Sequence, residues 1–118
     1  MIFAVETETR SLSTFETADA AIAACEGLDV EAAIWLFWAD DGAPLEPVFT
    51  TPNKRGFFSV TNGVYYLAPA QGEHHAHLSE AIDDILTFEC APRLGNASEV
   101  KAYLATANNR KTASRTLP

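Results

Sequence analysis

Three closely spaced histidines form the segment with the clearest potential for metal chemistry. His74, His75 and His77 lie within four positions of one another, and Glu73 precedes them. Imidazole nitrogens at such spacings can share a metal ion, and a carboxylate is a common additional ligand. However, no second group of Cys, His or paired acids with ligand spacing occurs elsewhere in the sequence. We therefore interpret the three histidines as surface or helix-capping residues and predict no cofactor, with a metal site at 74–77 as the alternative.

Two carboxylate pairs could in principle carry acid–base chemistry. Asp40–Asp41 lies in a predicted turn, and Asp83–Asp84 lies on the predicted solvent face of a helix. General acid–base catalysis needs carboxylates in differently polarised environments, which neighbouring exposed acids do not provide. The sequence also contains no GxSxG, HExxH, P-loop or GxGxxG motif. We therefore predict that the protein is not an enzyme, while a small enzyme with a non-contiguous site remains an alternative.

The charge is concentrated in the first part of the chain. Of 118 residues with a net charge of −8, residues 1–50 hold ten acids and one base, a local charge of −9. Such a field repels phosphate backbones and anionic lipid surfaces, and it attracts cationic partners. Lys54 and Arg55 form an isolated basic dipeptide, which is typical of a solvated loop. We predict neither a nucleic-acid partner nor a membrane partner.

Targeting and cysteine signals indicate a cytoplasmic location. The first ten residues lack the basic and apolar segments of a secretory signal, and the apolar stretch Ala32–Ala39 is too short to span a bilayer. Cys25 and Cys90 have neither CxxC nor metal-ligand spacing. We expect two buried thiols in a reducing compartment.

The first third of the chain predicts a strand and then a helix. A strand is expected over Ile2–Glu6, followed by a polar connection rich in Ser and Thr. Thr17 is a suitable N-cap for an alanine-rich helix over Ala18–Glu26. Gly27 is expected to end that helix in the left-handed conformation.

An aromatic segment predicts the central hairpin. Alternation places one set of apolar residues on each side of a strand, which predicts a strand covered on both faces. The first set is Ile34, Leu36 and Trp38, and the second is Trp35, Phe37 and Ala39. Asp40–Gly42 predicts a turn, and Leu45–Thr50 predicts the returning strand. Pro44 and Pro47 lack a backbone donor and favour an edge strand or a bulge.

A second hairpin and two helices are predicted in the remainder. Phe57–Thr61 and Val64–Ala68 flank Asn62-Gly63, a strong two-residue turn signal. Helical spacing then predicts an amphipathic helix with an apolar face. Its face consists of Leu78, Ala81, Ile82, Ile85, Leu86 and Phe88. Asn96 and Glu99 predict a capping box for a last helix, and residues 106–118 predict a flexible basic tail.

These elements together predict an α+β fold in one domain, residues 1–105. We expect an antiparallel sheet of about four to five strands built from two hairpins, packed by an N-terminal helix and one or two C-terminal helices. The patterns leave open whether the sheet closes into a barrel and whether the protein is a monomer or a homodimer.

The segment Phe15–Pro47 resembles small bacterial immunity proteins of polymorphic toxin systems of the contact-dependent or type VI kind. The shared pattern is an alanine-rich helix, the sequence Glu-Gly-Leu-Asp-Val at 26–30, an aromatic strand, Asp-Asp-Gly at 40–42 and a return containing Pro and Leu. The resemblance implies a cytoplasmic protein that binds a cognate toxin and occludes its active site or substrate cleft.

An acidic inhibitor can occupy the basic cleft of a toxin that acts on nucleic acids or nucleotides, and complementary charge accelerates association. The partner-binding residues expected on this hypothesis are Glu26, Asp29, Glu31, Asp40, Asp41, Asp83 and Asp84. The alternative is a small-molecule or metal-binding domain that uses the His74–His77 segment or an aromatic pocket.

Overall fold

Six strands form one mixed sheet in the computed structural model, which describes residues 1–56, 60–70, 75–90 and 94–116, the last nine as backbone only. The strands of the chain are β1 (Ile2–Glu6), β2 (Ser11–Phe15), β3 (Trp35–Trp38), β4 (Pro44–Thr51), β5 (Lys54–Arg55), β6 (Val60–Thr61), β7 (Val64–Pro69) and β8 (Thr87–Glu89). The sheet order is β7-β4-β3-β1-β2-β8, and β5 pairs with β6 separately. The predicted α+β class is confirmed, but the sheet is open, larger than predicted, and parallel where β2 meets β8.

Helices cover both faces of this sheet. They are α1 (Ala18–Ala24), α2 (Gly27–Glu31), α3 (Leu78–Ala81), a 3-10 helix (Ile82–Asp84) and α4 (Ala97–Thr116). Within the part of the chain that the structure describes, none of these helices has both the length and the hydropathy of a membrane-spanning segment.

Helix α1 begins as predicted, but its end differs. The Thr17 hydroxyl accepts a hydrogen bond from the Ala20 N–H at 3.1 Å, which confirms the cap. The prediction for Gly27 is wrong, because this residue opens α2 instead of ending α1. A Cβ atom at Gly27 would lie 2.6 Å from Oδ1 of Asn53, so close approach explains the glycine.

The predicted connection between β1 and α1 contains a strand. Arg10 has a φ of 55°, and the chain reverses there so that β2 pairs with β1 over five residues. Leu12 is fully buried, whereas Ser11 and Ser13 point to the opposite face. The polar composition concealed this strand because Ser11 and Ser13 lie on the part of the α1 side of the sheet that forms an open groove, and only Phe15 on that side packs against an apolar cluster.

The β3–β4 hairpin is confirmed, with its turn at Asp40–Gly42. Gly42 has a φ of 85°, and a carboxylate oxygen of Asp41 accepts from the Ala43 N–H at 3.0 Å. The predicted edge position of β4 is wrong, because β4 lies between β3 and β7. A register shift typical of a bulge does occur in β4, between Phe49 and Thr51.

The predicted hairpin at Asn62-Gly63 is not formed. β6 pairs with β5, and β7 pairs with β4, so the two flanking strands do not pair with each other. Oδ1 of Asn62 instead accepts from the Leu28 N–H at 3.1 Å, and Gly63 donates to Asn53. Residues 57–59 of the predicted strand lie outside the described residues.

The predicted helix after residue 78 is also shorter than expected. It ends as a 3-10 turn at Asp84, and the chain then enters the sheet as β8. The Arg10 carbonyl accepts from the N–H groups of Leu86 and Thr87, which ties β8 to the β1–β2 turn. Leu86 is 71% exposed, so it does not belong to the apolar face predicted for it.

Helix α4 has the predicted capping box and continues further than expected. Asn96 accepts from the Glu99 N–H at 2.9 Å, and its amide donates to the Glu99 carboxylate at 2.8 Å. The helical backbone extends to Thr116. The flexibility of residues 106–118 therefore stays a prediction, and residues 117–118 lie outside the described range.

The apolar core is divided by the sheet into two clusters. We call the side under α3 and α4 the α4 face; its buried residues are Phe3, Val5, Leu12, Trp38, Leu78, Ile82, Leu94, Val100 and Leu104. We call the other side the α1 face; its buried residues are Ala4, Ala21, Cys25, Val30, Phe37 and Tyr65. Leu36 packs with the first cluster and Trp35 with the second, which confirms the predicted two-sided burial of β3.

Candidate functional site: an acidic groove on the sheet

An open groove lies on the α1 face, beside the area that α1 and α2 cover. Glu6 on β1 is paired with Ser11 on β2 and with Trp35 on β3. Ser13 on β2 is paired with Glu89 on β8. Because opposite residues of paired strands project to the same side, these five side chains form a polar floor across four strands.

The groove encloses about 580 Å³. The residues that line it are Glu6, Glu8, Thr9, Ser11, Ser13, Asp29, Ile34, Trp35 and Glu89. Its volume falls in the range of about 300–1,000 Å³ that is typical of ligand pockets. Four carboxylates and one large aromatic ring thus converge, and none of the described residues that line the groove is basic.

Hydroxyl groups connect part of the floor. The Thr9 hydroxyl donates to the Glu6 carboxylate, and it lies 2.9 Å from the Ser11 hydroxyl. This chain of hydrogen bonds holds Glu6 in place on a strand. The hydroxyls are therefore already partnered by a carboxylate and by each other, an arrangement suited to positioning more than to nucleophilic attack.

The wall that carries Asp29 is built by the connection from α2 to β3. The Asp29 carbonyl accepts from the Ile34 N–H at 2.9 Å, and Ala33 between them has a φ of 58°. Thr7 anchors this turn to β1, since its hydroxyl lies 3.0 Å from the Ala33 carbonyl and 3.1 Å from that of Ile34. The turn fixes the position of Asp29 relative to Trp35.

Two cysteines lie close to groove carboxylates and are held in the thiol form. Burial, with a smaller contribution from Asp29, raises the pKa of Cys25 to about 11. Burial, with a smaller contribution from Glu89, raises the pKa of Cys90 to about 11. Because the thiolate is the reactive species, neither residue is activated for covalent chemistry near neutral pH. Both cysteines are free, as predicted, but Cys90 is only partly buried, so the prediction of two buried thiols is correct for Cys25 and wrong for Cys90.

Of the seven acids expected to bind a partner, only Asp29 lines the groove. Glu26 occupies the N-cap position of α2 without a side-chain hydrogen bond to the helix and is exposed, and Glu31 ends the same helix. The Glu31 carboxylate accepts a hydrogen bond of 2.7 Å from the Asn53 amide. Helix α2 and its N-cap therefore carry three of the predicted residues, of which Asp29 alone reaches the groove.

Asp40 and Asp41 lie at the opposite end of β3 from Asp29. The Asp40 carboxylate accepts from the Tyr103 hydroxyl and is 3.8 Å from the amino group of Met1. Asp41 supports the hairpin turn. Both residues therefore have structural contacts in this fold, and a binding role for them stays a prediction.

Asp83 and Asp84 lie on the α4 face, on the other side of the sheet from the groove. Asp83 forms an ion pair of 2.8 Å with Lys101 of α4, and both side chains are exposed. Asp84 is also exposed. The structure thus separates the predicted acids into three places.

The two described histidines have different surroundings. His77 caps α3, with Nδ1 accepting from the Ser79 N–H at 3.1 Å, which confirms a capping role for this residue. His75 instead packs edge-on against Trp38, with the ring centroids 4.7 Å apart. His74 lies outside the described residues. Among the residues with described positions, no three or more His, Cys, Asp or Glu side chains form a group able to hold a metal ion.

Sequence reasoning did not select Glu6, Glu8 or Glu89 as site residues. Glu6 ends β1, and Glu8 lies in the β1–β2 turn. Their proximity to Glu89 depends on the parallel pairing of Ser13 with Glu89, two residues 76 positions apart in the sequence. The available signal was the alternation Ser11-Leu12-Ser13, which is typical of a strand with one polar face. Once β2 is assigned, the polar face that it shares with Glu6 follows.

Comparisons with known proteins give no relative for this chain: no family model, curated protein or solved structure matches it.

Proposed function

We propose that this protein is a non-enzymatic binding protein that receives a positively charged segment of a protein partner in the acidic groove. The observation that carries the proposal is the convergence of Glu6, Glu8, Asp29 and Glu89 around Trp35. None of these four carboxylates forms an ion pair with a described residue of its own chain. A Lys or Arg side chain would relieve their mutual repulsion.

Trp35 adds a second recognition element. Its ring is half-buried at the floor of the groove, next to Glu6. A cation above an aromatic face gains about 0.5–2 kcal/mol, depending on how far it is desolvated. Carboxylates and an aromatic ring on rigid strands therefore favour a cationic side chain over a neutral polar ligand.

We further propose that the partner is a cognate bacterial toxin, met in the cytoplasm, and that binding occludes the toxin's active site or substrate cleft. This identification depends on the resemblance of Phe15–Pro47 to immunity proteins. The groove agrees with it because basic clefts are common in toxins that act on nucleic acids, and complementary charge speeds association.

Co-expression with the product of the neighbouring gene tests the proposal. We expect rescue of growth and a complex that survives purification. The double variant Glu6→Gln/Glu89→Gln should weaken the complex about tenfold or more at 150 mM salt, mainly through slower association. Surface plasmon resonance at two salt concentrations would measure both rates.

The matched control is Asp83→Asn/Asp84→Asn, which removes the same charge from the α4 face. It should leave the affinity within about twofold. If the control variant loses affinity and the groove variant does not, the partner binds the α4 face and the groove is not the interface. If no toxicity, rescue or complex is observed, the toxin-inhibitor proposal is wrong.

A further inference from the structure

The strand β7 forms one edge of the six-stranded sheet. It pairs with β4 on one side, and no described strand pairs with it on the other side. The opposite edge is β8, which has three residues and carries Glu89, whereas β7 spans the six uncharged residues Val64–Pro69. Short length and charged side chains usually protect an edge strand from pairing with another chain. Both devices are present at β8, and β7 has neither of them.

Exposed apolar side chains are concentrated at the β7 edge. Four large apolar side chains of the described residues are exposed, and three of these belong to Val60, Val64 and Tyr66. In β7, Val64 is 58% exposed and Tyr66 is 50% exposed. The alternate residue Tyr65 is buried in the α1-face cluster, where its hydroxyl donates to the Cys25 carbonyl at 2.7 Å. Val64 and Tyr66 therefore project to the other side of the sheet and stay accessible there.

The pairing of β7 with β4 determines which of its backbone groups point outward. The Ala70 N–H donates to the Pro44 carbonyl at 3.0 Å, so the even-numbered residues of this segment direct their backbone groups toward β4. Leu67 is paired with Pro47, which has no N–H to donate, as expected for a pair without hydrogen bonds. Because these directions alternate along a strand, Tyr65 and Leu67 direct their N–H and C=O groups toward the outer edge.

We propose that β7 pairs with β7 of a second copy of this chain, antiparallel, across a two-fold axis at Tyr66. In this register Tyr65 of one protomer lies opposite Leu67 of its partner, so each such pair exchanges both backbone hydrogen bonds. Val64 lies opposite Ala68, and the two Tyr66 side chains meet at the axis, in the kind of pair that brings side chains closest. The strand is thus complementary to itself, as a two-fold interface requires.

The charges near the strand agree with a second copy as the occupant. No charged residue lies within Val64–Ala68, although the chain has a net charge of −8. Glu46 of β4 is paired with Ala68, and the two Ala68 residues lie at opposite ends of the proposed ladder, so the Glu46 carboxylates of the two protomers stay apart. Pro69 has no N–H and ends the pairing. A short interface between two acidic chains predicts a weak, reversible dimer.

Sedimentation equilibrium of the full chain tests this inference, which does not depend on the function proposed above. We expect a monomer–dimer equilibrium with a Kd of about 10–100 µM at 150 mM salt. Higher salt should strengthen the dimer, because it screens the repulsion between the protomers, whereas it should weaken the binding of a cationic partner in the groove.

Hydrogen exchange of the wild-type protein locates the interface. The amides of Tyr65 and Leu67 should exchange about tenfold more slowly at protein concentrations well above the Kd than below it, since the dimer protects them. The amide of Tyr66 faces β4 in both states, so its exchange should change much less. Such a difference between neighbouring amides is expected for edge pairing and not for face-to-face packing of two sheets.

Tyr66→Lys places two cations at the axis and should weaken the dimer about tenfold or more. The matched control is Leu86→Lys, which introduces the same charge at an exposed apolar site beside β8 and should leave the Kd within about twofold. Amide dispersion checks that both variants are folded. The inference is overturned by monomers up to about 1 mM, by equal effects of the two variants, or by a dimer that does not protect the Tyr65 and Leu67 amides.

Discussion

The two faces of the sheet differ in how much of their surface the helices cover. On the α4 face, α3 and α4 bury Phe3, Leu12 and Trp38 under large aliphatic side chains. On the α1 face, the helices α1 and α2 have seven and five residues and cover only part of the surface, so the polar floor around Glu6 and Ser13 stays open. The larger of the two apolar clusters therefore lies on the α4 face, and the uncovered part of the α1 face of the same strands can position a site.

The largest expected contrast is between two neighbours in β2. Leu12→Ala should lower the free energy of unfolding by about 2–5 kcal/mol, because Leu12 is fully buried on the α4 face and its truncation leaves a cavity. Ser13→Ala, one residue later on the groove side, should change it by less than about 0.5 kcal/mol. Urea denaturation of both variants measures the difference, and similar losses would contradict the proposed division between the faces.

A second prediction concerns alkaline pH. Both Cys25, in the α1-face cluster, and Cys90, packed against the α4-face cluster, have a pKa raised from 9.0 to about 11. Above about pH 9 the unfolded thiols release protons that the folded protein retains, so stability falls as pH rises toward 11. Allowing for partial solvent access, we expect a loss of about 1–3 kcal/mol over this interval.

The control for this pH effect is the double variant Cys25→Ala/Cys90→Ala. Its stability should be nearly constant from pH 9 to 10 and should fall only as Tyr65, whose pKa is also raised mainly by burial, begins to lose protons in the unfolded state. The single variants Cys25→Ala and Cys90→Ala show which of the two thiols contributes more to the pH dependence of stability. A double variant with the wild-type pH dependence would show that the thiols are not responsible.

The smallest expected effect is at the exposed ion pair of the α4 face. Lys101→Ala removes the partner of Asp83, but the two side chains are 47% and 71% exposed, so the free energy of unfolding should change by less than about 0.5 kcal/mol. Thermal unfolding at low and high salt measures it. A loss larger than about 1 kcal/mol would mean that the α4 face depends on surface charge as well as on its apolar core.

Local signals predicted the elements whose partners are close in the chain. The Thr17 cap, the Asp40–Gly42 turn and the Asn96–Glu99 capping box each depend on hydrogen bonds within three residues, so sequence proximity was sufficient. The two-sided burial of β3 was visible because both alternating sets of side chains are apolar.

Predictions failed where a distant segment competed with a local preference. Asn62-Gly63 strongly favours a tight hairpin, yet hydrogen bonds from Leu28 to Asn62 and from Gly63 to Asn53 hold it in another arrangement. Leu86 fits the apolar stripe of a helix, but its backbone N–H donates a hydrogen bond to the Arg10 carbonyl, which holds the residue next to the edge strand β8. Such long-range contacts stabilise conformations that the residues of a short sequence window do not predict.

The sequence by itself determined the acidic charge, the α+β composition, the capped helix starts and the central aromatic strand, because these depend on residue type and on spacing along the chain. Only the tertiary structure decided which acids share a surface. Glu6 and Glu89 come together because β1 and β8 both pair with β2, and the β2–β8 pairing closes a long loop. The turn from α2 to β3 adds Asp29 to the same groove. Asp40 lies at the other end of β3, and Asp83 lies on the α4 face. The position of a carboxylate in the groove is therefore a property of strand register and order, which side-chain chemistry alone does not encode.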